Sequence, residues 1–160
     1  MNKPQILRAE LPAGFDLDKV QWYRLVGGAD FDYPVNYAVA VVGADVAAGR
    51  IELLVQWEPN AYCHYHSHLG TTRSAVLRGE QHLVETRQHE TVHKIRRAGF
   101  QGSIADGDTH MEYAGPEGLT MLFSIHAEDG HLFDLIDRNG KVFATATIED
   151  LVEKRFGVAA

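Results

Sequence analysis

The chain has 160 residues, with a hydrophobic fraction of 45% and a charged fraction of 23%, ordinary values for one globular domain with a real core. A formal net charge of -7, with no cluster of Lys and Arg, argues against a nucleic-acid partner, and no apolar run approaches the roughly 20 residues that cross a bilayer. Cys63 is the only cysteine, so no internal disulfide framework can form, and the first residues (MNKPQILRAELPAGF) lack the apolar stretch of a secretory signal; both fit a cytoplasmic location.

No internal repeat, low-complexity tract or linker divides the sequence, so residues 1–160 are expected to form a single domain. An N-terminal arm is expected over about 1–30, a barrel over about 35–145 and a helix over about 148–156. The first element the pattern allows is a short helix around 16–21. Residues 35–42 (VNYAVAVV) and 51–57 (IELLVQW) are β-rich runs joined by the Ala-rich stretch 43–49, and Glu58-Pro59-Asn60 forms a turn after the second. Further strands are predicted over 62–68, 74–77, 80–85, 101–104, 111–113 and 119–126. In the last of these Met121, Phe123 and Ile125 alternate toward a core. Asp106-Gly107, Asp129-Gly130 and Asn139-Gly140 are turn dipeptides; the last, between FDLID and KVFAT, predicts a two-residue hairpin. The C-terminus is helical by pattern. Thr147 is its N-cap, Glu149 and Asp150 lie in the first turn, Ile148, Leu151, Val152 and Phe156 make an apolar stripe, and Gly157 is the stop. The fold class is all-β with a short terminal helix.

Nine histidines are the one unusual count, and three of them fall in NAYCHYHSHLG. On a continuous strand His64, His66 and His68 share a face, about 7 Å apart from one to the next. Two neighbouring imidazoles at that spacing can converge on one ion, whereas three would span roughly 13 Å. A complete site therefore needs a histidine from elsewhere, and His110, just after the Asp106-Gly107 turn, is the best placed. Glu112 follows two residues later on the same face of a strand, where it can act as a base or a fourth ligand. Cys63 alternates to the opposite face and is expected to pack. His82 and His126 read as hydrogen-bonded strand histidines, and Arg73 as a surface cation able to steer an anion.

These segments resemble the two motifs of the cupin superfamily (RmlC-like). The first has the form Gly-x5-His-x-His-x3/4-Glu-x6-Gly. Counted back from Gly79 it places His66 and His68 at the two histidines, Thr72 at the Glu and Asn60 at the first Gly. In the second, Gly-x5-Pro-x-Gly-x2-His-x3-Asn, the matches are Gly99, Gly107 and His110, with Ala105 and Ala114 replacing the Pro and Asn. The resemblance implies a jelly-roll β-barrel holding one divalent transition metal through His66, His68 and His110, with His64 as a pocket residue. Because the motif Glu falls on Thr72, it implies a centre of three neutral imidazoles without a carboxylate. Such a centre is similar to the three-His acetylacetone dioxygenase and dihydroxyacetophenone dioxygenase group, and HLFDLIDRNGKVFATATIEDL is similar to the end of those chains.

What that group implies is an iron(II) dioxygenase cleaving a carbon–carbon bond of a small β-dicarbonyl or hydroxyketone. Its partners would be the small-molecule substrate and O2, and the chain would pair as a homodimer. Imidazole suits zinc and nickel as well as iron. Relatives carry an acid six positions before the third histidine, where Ile104 stands here, and an acid or histidine near 71–73. Two other readings stand beside the oxygenase. One is a non-catalytic zinc- or small-molecule-binding cupin like the domain of anti-sigma factors. The other is a metal-free, sugar-epimerase-like cupin using lumen histidines as acid and base.

Overall fold

The computed structural model describes residues 20–27, 33–87 and 89–155. They form ten strands and one helix: β1 (Trp22–Val26), β2 (Asn36–Asp45), β3 (Arg50–Trp57), β4 (Tyr65–His68), β5 (Thr71–Arg87), β6 (Glu90–Arg97), β7 (Gln101–Ile104), β8 (Thr109–His126), β9 (His131–Ile136), β10 (Val142–Thr147) and α1 (Ile148–Val152). Strands follow the order β1-β2-β3-β8-β4-β9-β10, with β5 pairing β6, β7 and β8, and every ladder between strands is antiparallel. The sheet curls on itself into a barrel wall. Along β2, β3 and β8 alternate side chains turn inward, so Tyr37, Val39, Leu53, Val55, Trp57, Met121, Phe123 and Ile125 form one buried cluster. Among the described residues no helix is long and apolar enough to cross a membrane.

Strand β8 organises the site. Its second half pairs with β3 on one side and β5 on the other, while its first residues reach across to β4. The predicted pairs 74–77 with 80–85, and 111–113 with 119–126, are therefore each one long strand. Glycines bend these strands and do not end them. Gly79 has φ 77°, its ladder with β8 shifts register there, and an added Cβ would lie 2.0 Å from the Gly118 carbonyl oxygen. Only glycine lets the two backbones approach so closely.

Other parts of the fold differ from the sequence reading. Strands β1 and β6 were not read from the sequence; β6 (ETVHKIRR) pairs only with β5 and has no buried residue, so it carries no hydrophobic alternation to read. The expected two-residue hairpin is a longer loop over 137–141, in which the Asp137 carboxylate accepts from the backbone N–H groups of Asn139 and Lys141. Helix α1 starts as predicted, with Thr147 Oγ1 accepting from the Asp150 N–H at 3.1 Å, but stops by Glu153, ahead of Lys154 at φ 57°. Phe156 and Gly157, assigned to its stripe and stop, lie outside the described residues, as do residues 16–19 of the N-terminal helix; Val20 and Gln21 are not helical. Asn60 does adopt the left-handed turn conformation, with φ 59°.

Candidate metal centre

Strand β4 begins only at Tyr65, so His66 and His68 share its inward face and His64 sits in the preceding loop. The turn before β8 is fastened to β4 by two backbone bonds, from the His68 N–H to Asp108 O and from the Gly107 N–H to His68 O, each 2.8 Å. Gly107, at φ 86°, makes that turn accessible to the chain. Its result is a register in which His110 stands directly opposite His66. Glu112 follows on the same face, buried at 2% exposure.

Four donor atoms then converge. His66 Nε2 lies 3.3 Å from His68 Nε2, which lies 3.2 Å from His110 Nε2. Glu112 Oε1 is 2.9 Å from His110 Nε2 and 3.6 Å from His66 Nε2. The four residues offer ligand atoms all within 4.8 Å of one another, and all four residues are buried. Metal–nitrogen bonds of ~2.0–2.1 Å at tetrahedral angles separate donors by about 3.3 Å. The spacing here is that of a coordination polyhedron.

The tautomers of His66 and His68 suit metal ligation. His66 Nδ1 lies 2.8 Å from the His64 carbonyl oxygen, which can only accept, so Nδ1 carries the proton. His68 Nδ1 lies 3.0 Å from Thr72 Oγ1, whose hydroxyl donates to Gly70 O at 3.3 Å, so here too Nδ1 donates. Both Nε2 lone pairs are thus bare and face each other. A cation between them removes that repulsion, and the outer hydrogen bonds orient the rings as they do around bound metals. Phe133 packs edge-on against both rings, with centroids 5.6 Å from His66 and 5.1 Å from His68.

Electrostatics keep His66, His68 and Glu112 deprotonated. Burial, followed by the neighbouring His110, lowers the His66 pKa to about 4. Burial, with His66 and His110, takes that of His68 to about 2. Burial alone would raise the Glu112 pKa, but the hydrogen bond from His110 and the surrounding imidazoles outweigh it and hold it at about 2. Neutral imidazoles and an ionised carboxylate are the forms a divalent metal needs.

Several readings from sequence need revision here. Glu112, read from alternation as a base or fourth ligand, joins the set and supplies the charge that Thr72 does not, so the carboxylate-free centre implied by the resemblance is not what the fold assembles. Thr72, at 0% exposure, instead holds His68. His64 does not share the face of His66 and His68; it is buried, its Nδ1 is 3.0 Å from the Tyr37 hydroxyl, and it is absent from the four-donor set. Burial, with His66 next, lowers its pKa to about 4. Cys63 does not turn away: the loop brings its Sγ within 3.7 Å of His66 Nδ1, and it lines the same cavity. Its thiol donates to His64 O at 3.2 Å, and burial pushes its pKa well up. Ile104 is buried, and Arg73 is exposed. His82 is bonded to Glu80 and His93 and stacked on Tyr113, and His126 is exposed. Two residues were missed, Tyr37 and Gln81. The latter, at 0% exposure, donates from Nε2 to Glu112 Oε2 at 3.0 Å.

The cluster opens on a cavity of about 70 Å³, walled by Tyr37, Leu53, Val55, Trp57, Phe123 and Leu135 among others. Its lining is apolar apart from Tyr37, Trp57, Cys63, His64, His66, His68 and Glu112. At ~30 Å³ per water, that volume accommodates about two waters.

No protein-family model and no curated protein sequence matches the chain. Solved structures do. An acetylacetone dioxygenase from Acinetobacter johnsonii superposes with a TM-score of 0.66 at 14% identity, covering 96% of this chain and 94% of that one. An RmlC-like cupin protein from Ralstonia eutropha gives 0.64 at 14% identity over 94% and 88%. A cupin 2 conserved barrel domain protein from Rhodopseudomonas palustris gives 0.58 at 15% over 86% and 84%. At such identities the likeness is one of fold. The described chain is therefore an RmlC-like cupin in fold, and its barrel carries three histidines and a glutamate able to hold a divalent metal.

Proposed function

We propose that the protein is an iron(II)-dependent dioxygenase that cleaves a carbon–carbon bond of a small β-dicarbonyl or hydroxyketone. The observation that carries this reading is the convergence of His66, His68, His110 and Glu112, three of which (His66, His68 and Glu112) line a small, mainly apolar cavity. A bound divalent metal supplies Lewis acidity, and iron(II) adds the redox chemistry that dioxygen requires. The chain's own contribution is to hold three imidazoles and one carboxylate in place, so that a centre left with net positive charge accepts an anionic, two-oxygen ligand. Leu53, Val55 and Phe123 exclude water and favour a compact carbon skeleton. Tyr37 and His64, hydrogen-bonded to each other on the cavity wall, give the substrate's polar end an orienting contact. The likeness to an acetylacetone dioxygenase supports the same substrate class.

Anaerobic iron loading, followed by oxygen-uptake measurement with a panel of small diketones and hydroxyketones, tests the proposal. Uptake well above that of His110→Ala is expected; uptake no higher than that variant overturns it. One observation favours a second reading. With Glu112 included, four protein donors already complete a tetrahedral set, as in structural zinc sites. Tight zinc binding that no exogenous ligand perturbs would identify a non-catalytic zinc-binding cupin.

A further inference from the structure

The two carboxylate oxygens of Glu112 are used differently. Oε1 faces the imidazole nitrogens, 2.9 Å from His110 Nε2 and 3.6 Å from His66 Nε2. Oε2 accepts from Gln81 Nε2 at 3.0 Å. Gln81 lies on β5 in register with Ala114 of β8, while Leu83 stands opposite Glu112, so Gln81 and Glu112 are diagonal cross-strand neighbours. Gln81 is fully buried, and its Oε1 has no hydrogen-bond partner among the described residues. An apolar side chain would avoid that orphaned acceptor, so packing does not account for the amide. Its bond to Glu112 does.

We infer that Gln81 is a positioning residue that restricts Glu112 to one-oxygen coordination and thereby keeps a metal coordination position open for an exogenous ligand. The inference rests on the metal-centre reading above. A carboxylate can bind a metal through one oxygen or both. Turning Oε2 toward the metal means breaking a buried hydrogen bond to a charged acceptor, which is stronger than a neutral one. Without that donor the carboxylate is free to chelate with both oxygens and occupy the position that a catalytic centre leaves open.

The test uses cobalt(II)-substituted protein titrated with sodium azide and followed by visible absorption. Gln81→Met keeps the side-chain length and removes both the donor and the orphaned acceptor; Gln81→Asn keeps the amide but draws it out of reach. The unaltered protein is expected to show an azide-dependent band shift. Both variants are expected to hold cobalt and to fold without metal, melting lower than the unaltered chain because Glu112 Oε2 loses a buried donor. Their apparent azide affinity should nevertheless fall at least about tenfold, within the range of outer hydrogen-bond effects at metal sites. Unchanged azide affinity and cobalt spectrum in the variants overturn the inference alone. Variants that fail to fold without metal assign Gln81 a structural role and also overturn it. Failure of the unaltered protein to bind cobalt overturns the metal-centre reading and this inference together.

Discussion

His66 on β4 and His110 on β8 stand directly opposite each other in the antiparallel register, so one strand pairing brings together two donors far apart in sequence. His68 lies two residues beyond His66 on β4 and Glu112 two beyond His110 on β8, in opposite directions along the antiparallel pair, so the donor set is a staggered row of inward positions on adjacent strands. Losing one donor leaves an incomplete set. His66→Ala and His110→Ala are each expected to purify with metal far below one equivalent, measured by elemental analysis against the unaltered protein.

Thr72 holds His68 through a 3.0 Å contact to Nδ1. Thr72→Val keeps the shape but leaves the buried imidazole N–H without an acceptor. It is expected to destabilise the fold by about 1–3 kcal/mol and to weaken metal binding about 10–100-fold. Thr72→Ser, which restores the hydroxyl, should recover most of both. Chemical denaturation and competitive metal titration are the measurements, and equal metal affinity in Val and Ser variants would show that the hydroxyl does nothing for the ring.

Acid is expected to loosen the metal-free protein. The folded-state pKa values of His64 and His66 are lowered from 6.5 to about 4, and that of His68 to about 2, so the unfolded chain binds protons first as pH falls. Stability tied to these neutral rings is complete above about pH 6.5 and declines as pH drops from there toward 4. Glu112, lowered from 4.5 to about 2, acts in the same direction at still lower pH. Melting temperature of the chelator-treated protein should therefore fall steadily between pH 7 and 5. A flat profile would contradict the burial of uncharged imidazoles.

Phe123 is both core and cavity wall. Phe123→Leu is expected to destabilise by less than the ~3–5 kcal/mol of full truncation to alanine and to shift substrate preference toward bulkier diketones. Relative kcat/KM across a homologous series is the readout; unchanged preference would place the substrate elsewhere.

Much of this centre was legible before any coordinates because its signals are local. His66 and His68 are separated by one residue, His110 follows a recognisable turn, and Glu112 follows His110 by alternation. What stayed hidden depended on partners distant in sequence or on breaks in regularity. Gln81 is an ordinary strand residue until β5 is laid beside β8. His64 and Cys63 were assigned faces on the premise that the strand ran through them, whereas it starts at Tyr65. Gly79 has the signature of a strand end, yet its positive φ accommodates a close crossing with Gly118 and lets one strand serve three neighbours, β6, β7 and β8. Thr72 looked like a lost ligand because a motif position specifies a residue type and not what a different residue there would touch.

Strand β4 is short, and its ladder with β8 consists of two residue pairs, His66 with His110 and Ser67 with Thr109. An ion held by side chains from both strands would act as a rivet across this brief seam, which hydrogen bonds alone fasten lightly. Amide protons of residues 65–68 and 109–112 should accordingly exchange with solvent faster once the ion is stripped, while those deep in β3 and the far half of β8 keep their protection.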